Sequence, residues 1–168
     1  MSEGTSSEAF RNALRHFPAG VTIVSIKAGT EVHGLTVSAF APISPEPPLI
    51  MVAIDHRHSA HSLLQEDDAV FAVNILSEDD SELSNRFAWM KDEDRFDVGD
   101  WGEAVTGAPV LGEALAWLDC RIHARYPAGT HTIYVGEVQE INVPRPDEAP
   151  LVFWNRGYRK LSGHGRET

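Results

Sequence analysis

The chain reads Gly34-Leu-Thr-Val-Ser-Ala-Phe-Ala-Pro-Ile-Ser44 between two apolar runs, and this stretch indicates both the fold and the kind of ligand. The run before it is Ala19-Gly-Val-Thr-Ile-Val-Ser25, and the run after it is Pro47-Pro-Leu-Ile-Met-Val-Ala-Ile-Asp55. Val, Thr and Ile suit the pleated surface of a strand. Two strands therefore enclose a turn of small residues, hydroxyls and backbone amides. Such a turn suits a flat, anionic, aromatic ligand held mostly by main chain and hydroxyl groups.

The remaining sequence predicts a mainly β domain with a few short helices. Apolar residues at helical spacing predict helices over 5–17, 59–65 and 77–89. Thr5 and Ser77 are the predicted N-caps of the first and the last of these helices. The continuously apolar run 49–54 predicts a strand that is covered on both faces. The other predicted strands are 20–26, 32–40, 69–76, 114–126, 132–143 and 151–155, and 91–109 is predicted to be a loop. Because strands and helices do not alternate regularly, we expect one domain over 1–168, built as a barrel rather than a doubly wound sheet.

Charge and cysteine content disfavour several classes of protein. The 168 residues include 25 acidic and 14 basic side chains, for a formal net charge of −11. Nucleic acids and anionic membranes attract basic surfaces, so we expect neither as a partner. The N-terminus lacks the pattern of a signal peptide, and no apolar run is long enough to span a membrane. The single cysteine, Cys120, lies in an apolar run and is expected to be a buried thiol, which suits a cytoplasmic protein.

A series of short motifs continues along nearly the whole chain. The motifs are Phe17-Pro-Ala-Gly-Val-Thr22, Gly34-Leu-Thr-Val-Ser-Ala-Phe40, Pro47-Pro48, Phe71-Ala-Val-Asn-Ile-Leu76, Asp94-Arg-Phe96, Gly107-Ala-Pro-Val-Leu111, Gly129-Thr-His-Thr132, Val135-Gly-Glu137 and Pro150-Leu-Val-Phe-Trp154 with Tyr158. In order and spacing, this series resembles the short-chain flavin reductases, the small partners of two-component flavin monooxygenases. Each motif alone has low specificity, but their colinear arrangement is specific.

The resemblance implies a homodimeric FMN-binding split barrel, which is a Greek-key antiparallel barrel with short flanking helices. It also implies that the protein reduces FMN or FAD with NADH or NADPH and supplies the reduced flavin to a partner monooxygenase. Two alternatives stay open. One is a flavoprotein of the same fold that keeps its flavin and reduces a metal chelate or a quinone, and the other is a flavin-binding module without enzymatic activity. Four tryptophans are expected to leave apolar surface for a second copy of the chain: Trp89, Trp101, Trp117 and Trp154.

Thr36 and Ser38 are the first candidates for flavin contact. They are two residues apart, so on a strand both hydroxyls point to one side, toward the flavin's polar edge or its ribityl chain. The alternative is that they are ordinary strand hydroxyls that bond to neighbouring residues. Val37 and Ala39 complete the segment, and the small Ala39 lets the backbone approach the ring. Phe40 either flanks the site or belongs to the core.

A phosphate site is predicted after the apolar strand that ends at Asp55, which is itself a candidate cofactor contact. Ser59 and Ser62 are predicted to donate to a phosphate at the start of the short helix, where free amides favour an anion. Simple helix capping is the alternative for Ser59. Three nearby histidines lack the spacing of a metal site, so we expect no metal here: His56, His58 and His61.

Arg95 is a second candidate for the phosphate. The resemblance implies a basic residue at this position, beside Phe96, that contacts the flavin phosphate, and a guanidinium suits that task. The alternative is a solvated charge among acidic neighbours, and Lys91 is the substitute. Tyr158, near the end of the chain, is predicted to cover the flavin or the seam between two copies.

His131 is the candidate for the nicotinamide. Resembling proteins commonly read Gly-Asp-His-Thr where this chain reads Gly129-Thr-His-Thr132, and their histidine lies near the nicotinamide. Thr130 thus replaces an aspartate that could fix the histidine tautomer, and a turn histidine without a ligand is the alternative. No glycine-rich dinucleotide motif follows a strand, so the nicotinamide must lie over the open face of the flavin. A 2′-phosphate would need a nearby arginine, and the sequence does not place the three candidates Arg11, Arg15 and Arg57.

Overall fold

A computed structural model describes residues 4–90 and 93–161. The helices are α1 (Ser7–Leu14), α2 (Ser59–Leu63) and α3 (Ser81–Trp89), with a 3₁₀ helix at Glu93–Asp97. The strands are β1 (Ala19–Gly20), β2 (Thr22–Ala28), β3 (Glu31–Val37), β4 (Phe40–Pro45), β5 (Pro48–Asp55), β6 (Val70–Ile75), β7 (Trp101–Glu103), β8 (Pro109–Leu111), β9 (Ala116–Ala128), β10 (His131–Asn142), β11 (Val152–Trp154) and β12 (Gly157–Arg159).

The central sheet has seven strands in the order β3-β2-β6-β9-β10-β5-β4, and neighbouring strands pair antiparallel. Its two edge strands, β3 and β4, follow each other in the chain and are joined by Ser38 and Ala39. The Ala53 amide on β5 donates to the Ala39 carbonyl at 3.0 Å. The two edges are therefore brought together and the sheet curls, which confirms the predicted mainly β split barrel.

Two apolar clusters stabilise the barrel because β2 and β6 are buried on both faces. Alternate residues of a strand point to opposite faces, so Val24 and Ile26 enter the barrel interior while Ile23 faces outward. The outer cluster fills the space between the sheet, α3 and β8, with Phe87 and Leu111 almost fully buried. Each such side chain contributes about 1.5–3 kcal/mol by leaving water.

A buried polar network joins β8 to the sheet. The Asn74 side-chain amide donates to the Ile23 carbonyl and to Ser25 Oγ, both at 3.0 Å, and Asn74 Oδ1 accepts from the Leu111 amide at 2.8 Å. Every polar atom of the Asn74 side chain thus has a partner, as a buried amide requires.

Both predicted N-caps, Thr5 and Ser77, are wrong, whereas α2 begins at Ser59 as predicted. Helix α1 is capped by Ser6, whose Oγ accepts from the Ala9 amide at 3.1 Å, and Thr5 has no part in the cap. Helix α3 begins at Ser81, because the Asp80 carboxylate accepts from the Ser77 amide at 2.8 Å and forms a turn before the helix. Ser77 itself bridges to the last part of the chain, which keeps it outside the helix.

Three strand predictions also need correction. The predicted strand 32–40 ends at Val37 and a new strand, β4, begins at Phe40. The predicted loop 91–109 contains the 3₁₀ helix and β7, which pairs with β8. Strand β5 is buried on one face and half-buried on the other, so the apolar run 49–54 is not fully covered within one copy.

The tryptophans and the cysteine differ in exposure. Trp117 is buried and Trp101 is half-buried, so these two belong to the core of one copy, whereas Trp89 is 80% exposed. Cys120 is fully buried, as predicted, and burial together with the neighbouring Asp119 raises the pKa of its thiol to about 12. Within 4–90 and 93–161, no helix combines the length and the apolar character that crossing a membrane needs.

Candidate functional site

A cavity of about 170 Å³ lies where β3 crosses to β4, opposite the end of β5. It brings together many of the residues predicted from the sequence. They are Thr36, Val37, Ser38, Ala39, Asp55 and His131, with Leu35, Ala53, Ile54 and His58 completing the lining. The antiparallel register explains the meeting, because His131 at the start of β10 is the direct partner of Asp55 at the end of β5.

Thr36 and Ser38 point to the same side, as the strand period requires. Both line a second cavity of about 350 Å³, which lies between β3, α3 and the β11–β12 hairpin. Thr36 Oγ1 donates to the Ser84 carbonyl of α3 at 2.6 Å, so its free lone pairs can still accept a hydrogen bond. The Ser38 side chain is exposed, and within the described chain its hydroxyl has no hydrogen-bond partner.

Tyr158 stands on the opposite wall of this second cavity. Its hydroxyl lies 2.8 Å from Ser84 Oγ and donates to Asn85 Oδ1 at 3.0 Å. Its ring packs edge-on against Phe153, with the centroids 5.6 Å apart. These contacts hold the β11–β12 hairpin against α3 and keep the cavity beside Thr36 in shape.

His131 is oriented by its neighbour in the turn. Thr130 Oγ1 lies 3.0 Å from His131 Nδ1, and the Thr130 carbonyl accepts from the His56 amide at 3.0 Å. Thr130 therefore contacts the ring where resembling proteins have an aspartate, but a hydroxyl can donate or accept and does not fix the histidine tautomer. Within residues 4–90 and 93–161, His131 Nε2 has no hydrogen-bond partner, so this atom can face a ligand.

Asp55 is a fixed negative group beside His131. Arg57 Nη2 lies 2.6 Å from Asp55 Oδ2, and the Arg57 amide donates to Asp55 Oδ1 at 2.9 Å. These hydrogen bonds from Arg57 hold the pKa of the Asp55 carboxyl well below its usual range. Asp55 is therefore a hydrogen-bond acceptor in the cavity over the whole neutral range.

Ser59 and Arg95 meet on either side of His33. Ser59 Oγ lies 3.3 Å from His33 Nε2, and Arg95 Nη1 lies 3.5 Å from the same atom. The Arg95 guanidinium also donates to main-chain carbonyls, to Met90 at 2.7 Å and to Gly34 at 2.5 Å. Arg95 is thus held in place by main-chain carbonyls. The substitute, Lys91, lies outside the described residues.

Three predicted contacts do not join this site. Ser62 lines a separate cavity with Glu31, Glu66 and Asp68, and three carboxylates oppose a phosphate there. The Phe96 ring packs edge-on against Phe87, with the centroids 5.2 Å apart, and serves the outer apolar cluster. Phe40 is half-buried, packs against the cluster in the barrel interior and lines none of the three cavities near Ser38.

The histidines before and within α2 share one hydroxyl. Thr132 Oγ1 lies 3.0 Å from His56 Nε2 and 3.3 Å from His61 Nε2. Partial burial, and secondarily the charge of His56, lowers the pKa of His61. Among residues 4–90 and 93–161, no group of three or more histidine, cysteine or acidic side chains is placed to hold a metal ion.

A third cavity, of about 500 Å³, was not predicted from the sequence. It shares Ser38 and Ala39 with the first cavity and extends to α1 and the β11–β12 hairpin. Its lining is Arg11, Leu14, Arg15, Phe17, Ala19, Ser38, Ala39, Phe153, Trp154, Asn155 and Arg156. No local spacing relates the first residues of this set to the last, so the sequence offered no signal for the assembly.

Comparison with known proteins gives consistent matches. Residues 14–162 match the family model described as flavin reductase like domain. The reductase component of 4-hydroxyphenylacetate 3-monooxygenase from Thermus thermophilus is 40% identical over 154 residues, which are 92% of this chain and 96% of that protein. An NADH:FMN oxidoreductase from Rhodococcus erythropolis is 32% identical over 169 residues, which are 99% of this chain and 88% of that protein. The solved structure of the Streptomyces globisporus NADH:FAD oxidoreductase SgcE6, in complex with NAD and FAD fragments, superposes with a TM-score of 0.86 at 30% identity and covers 96% of each chain.

Proposed function

This chain belongs to the flavin reductase like domain family, and we propose from that premise that it is an NAD(P)H:flavin oxidoreductase. It reduces FMN or FAD with NADH or NADPH and supplies the reduced flavin to a partner monooxygenase. Relatives that are reductase components of monooxygenases support the partner. The flavin ring, when bound, supplies the hydride chemistry, and the residues of the chain bind and orient the two reactants.

The observation that carries this proposal is the meeting of three cavities at Ser38. Ser38 lines all three, and Ala39 lines two of them. Two ligands that must touch each other need adjoining cavities with a shared wall, and this segment provides the wall. The chain therefore offers room for a flavin and for a nicotinamide on either side of one short backbone segment.

The flavin-binding residues fit the polar edge and chain of a flavin. Ser38 has a hydroxyl without a described partner and Thr36 has free lone pairs, and Val37 and Ala39 line the cavity where the chain crosses from β3 to β4. Asp55 adds a fixed acceptor for a ring or ribityl donor. Because a flavin carries both donors and acceptors, this mixed set suits it.

The flavin phosphate is assigned to Ser59 and Arg95. These two side chains lie around His33, beyond the end of the first cavity at His58. Arg95 is oriented by the main chain, which lowers the entropy lost when a guanidinium binds phosphate. Ser62 and Phe96 are left out of this assignment because of the positions given above.

His131 is assigned to the nicotinamide. Its Nδ1 is engaged by Thr130, and its Nε2 can hold the carboxamide over the open face of the flavin. The chemistry needs no general acid or base, so positioning is the main contribution of this residue. Tyr158 closes the neighbouring cavity from the side of the hairpin.

The protein is proposed to be a homodimer. Leu49, Met51 and Ala53 lie on the outward face of β5 and are half-buried, and the half-buried Ile133 is the partner of Ala53 on β10. An apolar sheet face of this kind is a common surface for a symmetric dimer. Light scattering at micromolar concentration is expected to give twice the monomer mass, and a mass near 18.5 kDa would contradict the proposal.

We also propose that residues 1–168 act as one domain in the cytoplasm. The family match over 14–162 supports the single domain. The single, buried cysteine suits a reducing compartment, because the chain forms no disulfide within itself. Cell fractionation with the activity assay described next tests the location.

The activity is tested by mixing the purified protein with NADH or NADPH and then with FMN, FAD or riboflavin in turn. Loss of the nicotinamide absorbance that depends on both protein and flavin is the expected result. Gel filtration of the same sample is expected to separate the flavin from the protein, whereas retained flavin would favour a flavoprotein with another acceptor. If no combination consumes nicotinamide, the protein is not a flavin reductase.

A further inference from the structure

We propose that Arg11, Arg15 and Arg156 bind the pyrophosphate of the nicotinamide dinucleotide. The three side chains line the cavity of about 500 Å³ next to Ser38 and Ala39. The inference rests on the proposed function, because it assigns the distal end of the hydride donor within that same site. Two of these side chains, Arg11 and Arg15, are among the three arginines that the sequence left unplaced.

The cavity is held together by two chain segments that are far apart in sequence. The Asn155 amide donates to the Arg15 carbonyl at 3.1 Å, and Trp154 Nε1 donates to the His16 carbonyl at 3.3 Å. The end of α1 is therefore fixed against the β11–β12 hairpin. This contact places Arg11 and Arg15 opposite Arg156 on the walls of one cavity.

The charges in this cavity are unbalanced. No acidic residue lines it, although the whole protein carries a formal net charge of −11. Within residues 4–90 and 93–161, the guanidinium groups of Arg11, Arg15 and Arg156 have no ion pair and no hydrogen bond, and Arg15 Nε is buried without a partner. A buried donor without an acceptor is unfavourable unless a ligand supplies one. Phosphate oxygens are the acceptors that guanidinium groups bind best.

The backbone at Arg156 gives a second, independent indication. Asn155 and Arg156 form the two-residue loop between β11 and β12, with φ values of 48° and 64°. A loop of this type strongly favours glycine at its second position, where this chain has arginine and places glycine one residue later. Left-handed backbone at a long side chain is unfavourable, and such strain concentrates at ligand sites. Arginine at this loop position therefore lowers the stability of the hairpin and places a guanidinium group at the cavity wall.

The position of the cavity selects the dinucleotide rather than the flavin phosphate. Ser38 and Ala39 line both this cavity and the one that contains His131, so a ligand can reach from the arginines to His131. Ser59 and Arg95 do not line it. The aromatic side chains Phe17 and Trp154 are available to stack on an adenine. NADH and NADPH share the pyrophosphate, so the assignment holds for either donor.

Arg57 is excluded as the dinucleotide-binding arginine. Its guanidinium already binds Asp55 at 2.6 Å. The Asp55 carboxylate therefore already neutralises the positive charge of Arg57, which a phosphate would otherwise neutralise. Arg57 also lines neither the third cavity nor the cavity beside Tyr158.

The test compares Arg15→Gln and Arg156→Gly with Arg121→Gln. Arg156→Gly removes the guanidinium and the left-handed strain together, so it keeps the hairpin folded. Arg121 is exposed on β9 and lines none of the three cavities, so Arg121→Gln matches the charge change elsewhere. NADH and NADPH are titrated anaerobically into protein saturated with reduced FMN, where no hydride transfer follows, and FMN, FAD and riboflavin are titrated into flavin-free protein. Tryptophan fluorescence reports binding in each case.

Each site variant is expected to bind NADH and NADPH at least ~10-fold more weakly, since it loses a charge-assisted contact to phosphate. In Arg15→Gln, affinities for FMN, FAD and riboflavin are expected to stay within about twofold of wild type, because Arg15 lines neither cavity that contains Thr36. Arg156 also lines the cavity beside Thr36, so Arg15→Gln is the variant that separates the two ligands. Inorganic pyrophosphate is expected to displace NADH from wild type and from Arg121→Gln at lower concentration than from the site variants.

Several results would overturn the assignment. Unchanged NADH affinity in both site variants removes the arginines from the site. Weaker binding of NADPH alone assigns them to a 2′-phosphate, and weaker binding of FAD alone assigns them to the flavin adenylate. If wild-type protein consumes no nicotinamide with any flavin, the proposed function fails, whereas active wild type with unchanged variants defeats this inference alone.

Discussion

Arg95 and Arg15 both lie beside the candidate site, but the fold uses their guanidinium groups differently. Arg95 donates to the Met90 carbonyl at 2.7 Å and to the Gly34 carbonyl at 2.5 Å, and so ties the segment after α3 to β3. Arg15 joins the hairpin through its main-chain carbonyl, while its Nε is buried without a partner in the described chain. The Arg95 guanidinium therefore stabilises the structure in addition to its proposed contact with the flavin phosphate, whereas the Arg15 guanidinium makes no described contact that supports the fold.

Because the two guanidinium groups have different contacts, substitutions of Arg95 and Arg15 can separate effects on folding stability from effects on ligand binding. A guanidinium that donates to buried carbonyls leaves them unsatisfied when it is removed, and the folded state is destabilised. Removing a guanidinium that has no acceptor breaks no hydrogen bond, so the free energy of unfolding is not lowered. Substitution of Arg95 is therefore expected to lower the stability of the folded protein, whereas substitution of Arg15 is not.

The largest expected effect is on stability, from Arg95→Met. Loss of its charge-assisted hydrogen bonds to two carbonyls should lower the free energy of unfolding by about 3 kcal/mol. Arg15→Gln should stay within ~0.5 kcal/mol of wild type, because no described contact is lost. Urea denaturation followed by circular dichroism measures both. Equal stabilities of the two variants would remove the distinction between these arginines.

His131→Ala tests the nicotinamide end of the site by rate rather than by affinity. Loss of one orienting contact should slow hydride transfer by roughly one to two orders of magnitude, about 1.4–2.8 kcal/mol of barrier. Stopped-flow reduction of bound flavin by NADH reports the rate, and a flavin titration serves as the control. A wild-type rate with much weaker flavin binding would place His131 at the flavin instead.

Thr36→Val combined with Ser38→Ala tests the flavin end. The double variant should bind FMN more weakly by roughly 1–2 kcal/mol, because two polar contacts to the ligand are removed. Arg15→Gln should leave this affinity unchanged, which sharpens the separation of the two ends. Quenching of tryptophan fluorescence by FMN measures the dissociation constant. A wild-type constant in folded protein would mean that the flavin lies elsewhere.

A smaller gain in stability is expected from Arg156→Gly. Glycine accepts the left-handed backbone that arginine holds at φ 64°, and relief of that strain should raise the free energy of unfolding by about 1 kcal/mol. The same variant is expected to bind NADH more weakly. Thermal unfolding of the ligand-free variant and of wild type measures the change in stability. A destabilised variant would show that the Arg156 side chain supports the fold, as Arg95 does.

The smallest effect on stability is expected at Arg57, whose guanidinium binds a carboxylate rather than main-chain carbonyls. Arg57 lowers the pKa of Asp55, so its contribution to stability is present above the ordinary aspartate pKa and is lost as pH falls through the lower folded-state value. Arg57→Gln should move the Asp55 pKa upward, toward its ordinary value. NMR titration of the carboxyl carbon measures this shift. If the Asp55 pKa does not move, another neighbour of Asp55 must be the cause of its lowered value.

The sequence alone determined the features that depend on local spacing. The β2–β3 hairpin, α2, β6 and the matching sides of Thr36 and Ser38 follow from periods of 3.6 and 2 residues, which act over short distances. Burial of Asn74 and Cys120 follows from apolar surroundings in the chain. The order of short motifs also gave the family and the mainly β barrel. Local spacing did not place the N-caps, because Ser6 and Asp80 compete with Thr5 and Ser77 through turns that the pattern does not encode.

The tertiary structure decided which distant groups meet. Register between β5 and β10 sets His131 beside Asp55, and Ser59 and Arg95 meet at His33 near the start of β3. The contact of α1 with the last hairpin gathers the three arginines of the third cavity. These meetings depend on strand register and on how the sheet closes, and side-chain spacing along the chain carries no information about either. The residue types that bind phosphate were visible from the start, but whether each guanidinium was already used by the fold could be known only from its neighbours in space.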